Sequence, residues 1–271
     1  MMKNFLLATA VLLLCLTMES RSQELYVFTE PASNMPAKSL GLRVTNEGIF
    51  TGKGMKRTIP ELMLSFNKEL MVHAQGFLSD MDGKYRLEGG SLYAKYRFFS
   101  VDNMQSHLRM AAFGRVSTSK RPVYSDDINL EGDNSGIQGG VVVTQLLHKL
   151  ALSGSLSYAK SFDRQSQVIA NTPQPDQMIG YSLSSGYLVL PFKYKNYNQP
   201  NFNVYFEILG KTNPDNGRSY LDFAPALQLI LNSRTRVDLG YRFQVSGNMN
   251  DRFLKNMYLL RAEFNFFNVI K

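Results

Sequence analysis

LQLILNSRTRVDLGYRF, residues 227–243, alternates apolar and polar side chains twice, with a three-residue break between the runs. Leu227, Leu229 and Leu231 share one parity; after Asn232-Ser233-Arg234, so do Val237, Leu239, Tyr241 and Phe243. The other parity carries Gln228, Arg236, Asp238, Gly240 and Arg242. Such a period of two predicts a β-hairpin with one oily and one wet face. What has to be decided is whether the oily face meets a protein core or lipid.

The same alternation recurs along the chain. It predicts strands at 38–46, 57–66, 70–79, 90–101, 106–118, 136–146, 150–161, 177–190, 202–211, 219–231, 235–246 and 254–267. The connections alternate in length as well. Long ones (47–56, 80–89, 119–135, 162–176, 212–218, 247–253) are interleaved with short ones such as NKE, DNMQ, LHK and NSR, and only 191–201 is intermediate. A Greek-key sandwich has no reason to alternate so regularly, whereas an up-and-down barrel in an outer membrane does. The runs, about 9–14 residues each, suit tilted strands, which need about 9–11 residues to cross a bilayer. Because lipid offers no partner for a backbone amide, the sheet has to close. The expected fold is therefore all-β, a single 12-stranded antiparallel up-and-down transmembrane β-barrel over 38–271.

Parity then separates the faces. Leu40/Leu42/Val44, Leu62/Leu64/Phe66, Phe202/Val204/Phe206/Ile208 and Tyr258/Leu260/Ala262/Phe264/Phe266 are examples of the apolar sets. On the opposite parity lie Arg43, Glu61, Lys95, Arg97, Arg109, Arg115, Glu207, Arg236, Asp238, Arg242, Arg261 and Glu263, eight basic and four acidic residues. Unpaired charges in a soluble core would cost several kcal/mol each; in a wet lumen the cost largely disappears. Strands 7 and 8 present small groups on that face, including Ser153, Ser155, Ser157, Ser182 and Ser184. These residues are the candidate lumen lining. An electropositive wall facing a Ser/Gly wall would pass small anionic or aromatic solutes. The alternative is an interior knitted shut by Arg and Glu pairs, or filled by a loop, with the protein serving as a structural or binding barrel that displays loops 119–135 and 162–176.

Residues 1–22 read as a cleaved secretory signal: Lys3, then the apolar FLLATAVLLLCL, then Ser20-Arg21-Ser22 before Gln23. Leu14 before Cys15 does not suit lipidation, and no cysteine follows residue 22, so export leaves a chain without disulfides. Loss of Lys3, Glu19 and Arg21 lowers the formal charge from +8 to +7. Export argues against nucleic acid as the basic chain's partner. The expected location is the outer membrane of a Gram-negative bacterium, with its lipid and the barrel-assembly machinery as partners. Residues 23–37 form a periplasmic or lumen-inserted segment.

Catalytic and metal chemistry find little support. PFKYKNY (191–197) looks superficially like a stretch of outer-membrane phospholipase A, but that family needs a Ser two residues after its His. Here His73 is followed by Ala-Gln, His107 by Leu-Arg and His148 by Lys-Leu. The expectation is no enzyme, no cofactor and no metal, with each His a strand or turn residue. Asp126, Asp127, Glu131 and Asp133 could offer oxygen ligands to Ca²⁺, but their spacing does not match an EF-hand, and a solvated acidic loop is the simpler reading. DMDG (80–83) reads as a turn and GIQGG (136–140) as the start of a strand.

QELYVFTEPASNMPAKSLGLRV (23–44) resembles the opening of uncharacterised outer-membrane barrels of Bacteroidota-type bacteria. PALQLILNSRTRVDLGYRFQVSGNM (225–249) resembles the closing hairpins of transporter-like barrels grouped with phenol-degradation and metal-efflux genes. The resemblance implies passage of solutes across an outer membrane. It lies in strand pattern and carries over no ligand residue.

Overall fold

The computed structural model describes residues 26–50, 55–80, 83–103, 106–121, 125–162, 175–192, 199–249, 252 and 255–270. The signal peptide at 1–22 and most of the loop 162–176 lie outside the described residues. Six strands, β1 (Ser39–Gly48), β2 (Lys56–Ser65), β3 (Leu70–Ser79), β4 (Arg86–Asn103), β5 (Ser106–Ser119) and β6 (Gly136–Leu147), make the first half. Six more, β7 (Leu150–Ser161), β8 (Gln177–Leu190), β9 (Asn201–Thr212), β10 (Ser219–Leu231), β11 (Thr235–Gly247) and β12 (Asn256–Phe266), make the second. Each strand pairs antiparallel with the next, and β1 pairs with β12, closing the barrel.

Boundaries follow the alternation closely except in β4, whose ends extend past the predicted 90–101. Bulges cause the discrepancy. Register shifts at Phe77/Leu78, opposite the start of β4, and at Arg97/Phe99 within it. A bulge adds a residue and breaks the period of two, so Phe98 and Phe99 both face outward.

The opening hairpin behaves as its parity requires. Leu227, Leu229, Leu231, Val237, Leu239 and Tyr241 are exposed, while Gln228, Arg236 and Asp238 are buried. Asn232 and Ser233 both have positive φ, 51° and 54°, and the Arg234 amide donates to Leu231 O at 3.0 Å. These are the features of a type I′ turn, whose twist matches that of the flanking strands. The barrel is oily outside, and Phe50 packs on Tyr258 (4.7 Å between centroids) and Tyr241 (6.5 Å) at the end carrying the longer loops. We call this the long-loop end and the other, where NSR lies, the short-turn end.

The inward parity is not purely polar. Met63, Met71, Leu146, Ala226, Ile230 and Leu259 are buried inside the wall. All of these but Ile230 are covered by residues 26–37, which lie against them.

Candidate functional site: the filled lumen

Residues 26–37 cross the lumen as a bar. Two prolines, Pro31 and Pro36, keep this stretch out of helix and sheet, so its backbone polar groups need partners from the wall. Glu207 on β9 accepts from the amides of Val27 (2.9 Å) and Phe28 (2.8 Å) and from Thr29 Oγ1 (2.7 Å). Ser184 on β8 also donates to Glu207 (3.1 Å). Arg236 on β11 donates to Tyr26 O. On the other side, Lys95 Nζ on β4 donates to Pro31 O (2.6 Å) and Ser33 O (2.8 Å), Thr144 Oγ1 on β6 accepts from the Ala32 amide (2.9 Å), and Ser65 Oγ on β2 donates to Met35 O (2.9 Å). Arg109 on β5 reaches Ser33 Oγ and Asp102.

Apolar contacts complete the seating. Tyr26 and Val27 pack with Leu146, Ala151, Tyr205, Ala226 and Leu259; Ala32 with Ala111 and Val142; Met35 with Met63 and Met71. Gly240 leaves room for the Phe28 ring, to which a Cβ at that position would lie 2.6 Å. Of the two positions expected for 23–37, residues 26–37 take the lumen.

Beside the bar runs an ion-pair ladder. Arg236 Nε meets Asp238 at 2.8 Å and its Nη1 meets Glu263 at 3.5 Å; Arg261 lies 3.6 Å from Asp238. Arg43 bonds Glu263 (2.8 Å), Glu61 (3.2 Å) and Glu30 of the bar (2.9 Å), and Glu61 holds His73 Nδ1 at 2.5 Å. Burial disfavours the charge on Glu30, but Arg43, Lys95 and His73 outweigh it and hold its carboxyl well below the usual range. The charges of the 227–243 hairpin therefore touch one another.

The 125–135 loop fills the long-loop half, which corrects its reading as a solvated acidic loop. Asp133 is shared by Arg57 and Arg121. Glu131 pairs with Arg115 (2.7 Å), Asp127 with Lys211 (3.0 Å) and Asp126 with Arg218 (2.7 Å). The carboxylates serve lumen cations, and among the described residues no group of His, Cys, Asp and Glu could hold a metal. Nearby, Arg242 and Arg252 both bond Asp222 (2.6 Å each) and lie over the Tyr220 ring.

The predicted lumen residues thus face inward, and several of them bond to one another, to the bar or to the loop. Glu30 of the bar pairs with Arg43 and Glu131 of the loop with Arg115, whereas Asp126, Asp127 and Asp133 pair with Arg218, Lys211, Arg57 and Arg121, cations outside the set read from the strands. Arg97 is half-buried beside the β4 bulge, across from Ala111. On the small-residue wall, Ser153 bonds Thr144 (2.9 Å), Ser155 bonds Ser182 (2.6 Å), and Ser157 accepts from Gln138 (3.2 Å). Sequence reading missed Glu47, Arg57, Lys211 and Asp222, all on the inward parity but near strand ends, and Arg121 and Arg252, which lie in loops where parity says nothing.

Between bar and loop, two adjoining cavities of about 110 and 210 Å³ remain, both lined by Phe28, Glu30, Tyr93, Arg115, Lys211 and Arg242. The pair make a two-part chamber divided by these shared residues, His73 lining the smaller part and Phe113 with Ser155, Ser157 and Ser182 the larger, with the bar on one side and residues 129–131 on another.

The class defined by a closed twelve-strand barrel, oily outside and charged inside, is that of outer-membrane β-barrels. No protein-family model matches the chain, and no curated protein does. Among solved structures, it is similar in fold to the NanC porin: 11% identity, 84% of this chain and 98% of that one covered, TM-score 0.51. Outer membrane phospholipase A from Escherichia coli also matches, with 8% identity, 92% and 96% covered, and TM-score 0.43. At such identities the likeness is one of fold alone.

Proposed function

We propose that this protein is an outer-membrane barrel closed at rest, which works by binding at its long-loop half rather than as a standing passive channel. It would reach the outer membrane of a Gram-negative bacterium through the signal at 1–22 and the barrel-assembly machinery, as one of the Bacteroidota-type barrels it resembles, with the long loops outside. The observation that carries the reading is the bar. Backbone groups of Val27, Phe28, Pro31, Ala32 and Ser33 are bonded to side chains on opposite walls, so passage requires those bonds to break together. Nothing catalytic is assigned: no serine stands two residues after His73, His107 or His148. The test is conductance of the refolded chain in a planar bilayer at neutral pH. The full chain is expected to show no steady current, and a chain lacking residues 26–36 to show discrete steps. Steady current through the full chain would overturn the closed reading and restore the passive channel.

A further inference from the structure

The chamber between bar and loop has two unlike walls. On one, the rings of Tyr93 and Phe113 lie 5.7 Å apart, with His73 5.0 Å from Tyr93 and the Arg115 guanidinium 5.3 Å from the Tyr93 ring centre. On the other stand the hydroxyls of Ser155, Ser157 and Ser182 and the Gln138 amide. A hydroxyl offers one donor and two lone pairs. The Ser155 to Ser182 bond therefore leaves one O–H and several lone pairs unspent.

Two buried nitrogens in the chamber lining are also unspent. His73 Nε2 and Arg115 Nε have no hydrogen-bond partner among the described residues, although both side chains are more than nine-tenths buried. The Glu61 carboxylate takes Nδ1, so His73 Nε2 accepts when the ring is neutral and donates when it is protonated, whereas Arg115 Nε–H is a donor. Leaving a buried polar group unpaired is costly, so such a chamber favours a ligand that completes these two. A hydroxyl both donates and accepts, so it serves both nitrogens whichever way His73 is protonated.

Charge narrows the class. Of the cations around the chamber, Arg115 has Glu131, Lys211 has Asp127 and Arg43 has Glu30, while Arg242 and Arg252 share Asp222 and Arg261 lies 3.6 Å from Asp238. A charged ligand would have to break one of these pairs and leave a buried partner uncompensated. A ligand with an apolar face for the rings and hydroxyls at its edge breaks none.

We infer that the chamber is a binding site for an uncharged, polyhydroxylated small molecule of monosaccharide size, stacked on Tyr93 and Phe113 and hydrogen-bonded to Arg115, His73 and the Ser155/Ser157/Ser182 wall. This rests on the closed reading, because the bar forms the chamber floor. The cavities, about 110 and 210 Å³, have room for roughly ten waters at about 30 Å³ each.

The test is titration calorimetry on the full chain refolded in detergent, with D-glucose, D-galactose, glucuronate and benzoate as probes and conductance of the same sample measured in parallel. Saturable binding of at least one neutral sugar, at least tenfold tighter than glucuronate or benzoate, is expected. Ser157→Leu, which fills the chamber without touching a charge, should weaken it at least tenfold, as should Arg115→Gln; heat-modifiable gel mobility reports whether each variant has folded. Preference for glucuronate or benzoate overturns the ligand class, and so does binding that survives Ser157→Leu in a folded barrel. Absence of binding by every probe in a non-conducting sample overturns the chamber proposal and leaves the closed barrel standing. Steady conductance overturns the closed reading itself.

Discussion

At the short-turn end the lumen is filled by main-chain groups of residues 26–37 held by a few buried side chains, Glu207, Lys95 and Thr144 among them. At the long-loop end it is filled by carboxylates of the 125–135 loop paired with cations of the wall. The first arrangement uses groups every peptide has, so its specificity rests with the wall. The second uses charges supplied by the loop sequence itself. Part of it is wet, with the Arg218 side chain 39% exposed and that of Lys211 24% exposed. One filling is a buried hydrogen-bond network and the other grades into a surface ion-pair network, and the two should respond to different perturbations.

The largest separation is expected from Glu207→Ala. This variant removes the acceptor for two amides and the Thr29 hydroxyl, on the order of 5 kcal/mol of docking at about 1.5–3 kcal/mol per bond to a charged group. Limited proteolysis should then cut within 26–37 while the 125–135 loop stays protected; protection of both would mean that Glu207 does not hold the bar. Asp133→Asn is the converse. It leaves Arg57 and Arg121 underpaired, which costs about 3 kcal/mol, and cleavage should move to the loop while the bar remains intact.

Acid comes next. A carboxyl held low contributes stability that is complete above its ordinary value, about 4.3 for Glu, and is lost as pH falls through the lowered one. Glu30 is such a group, so bilayer current should stay absent from pH 8 to 5 and the bar should loosen only below about pH 4. Current switched on between pH 7 and 5 would assign the bar's control to another group. The smallest effect is that of salt. At 1 M the Debye length falls to about 3 Å, and exposed pairs are worth at most about 1 kcal/mol. Hydrogen exchange should rise modestly around Asp126 and Asp127 and not at Val27 or Phe28.

The wall was legible in the sequence for a physical reason. Lipid outside and charge inside impose a period of two on the strands, and both arms of the hairpin at 227–243 carry it on either side of their turn. It fails where the backbone does, at the β4 bulges, where Phe98 and Phe99 share a face. The filling was less legible. Val27 and Glu207 meet across 180 positions, and no local pattern encodes that contact. A trace did exist: Met63, Met71, Leu146, Ile230 and Leu259 stand on the parity assigned to water, and so many apolar groups there imply something dry to pack against. Reading Asp126 to Asp133 as a solvated loop followed the same habit of treating a connection as surface.

Backbone pairing sets the circumference of a closed sheet but leaves its cross-section free to flatten, as a hoop can be squeezed into an ellipse without stretching. The bar is bonded to Ser65, Lys95 and Thr144 on one side and to Ser184 partners, Glu207 and Arg236 on the other. It therefore fixes one diameter of that hoop, so that beyond blocking the lumen it braces the wall against the sideways pressure of the bilayer.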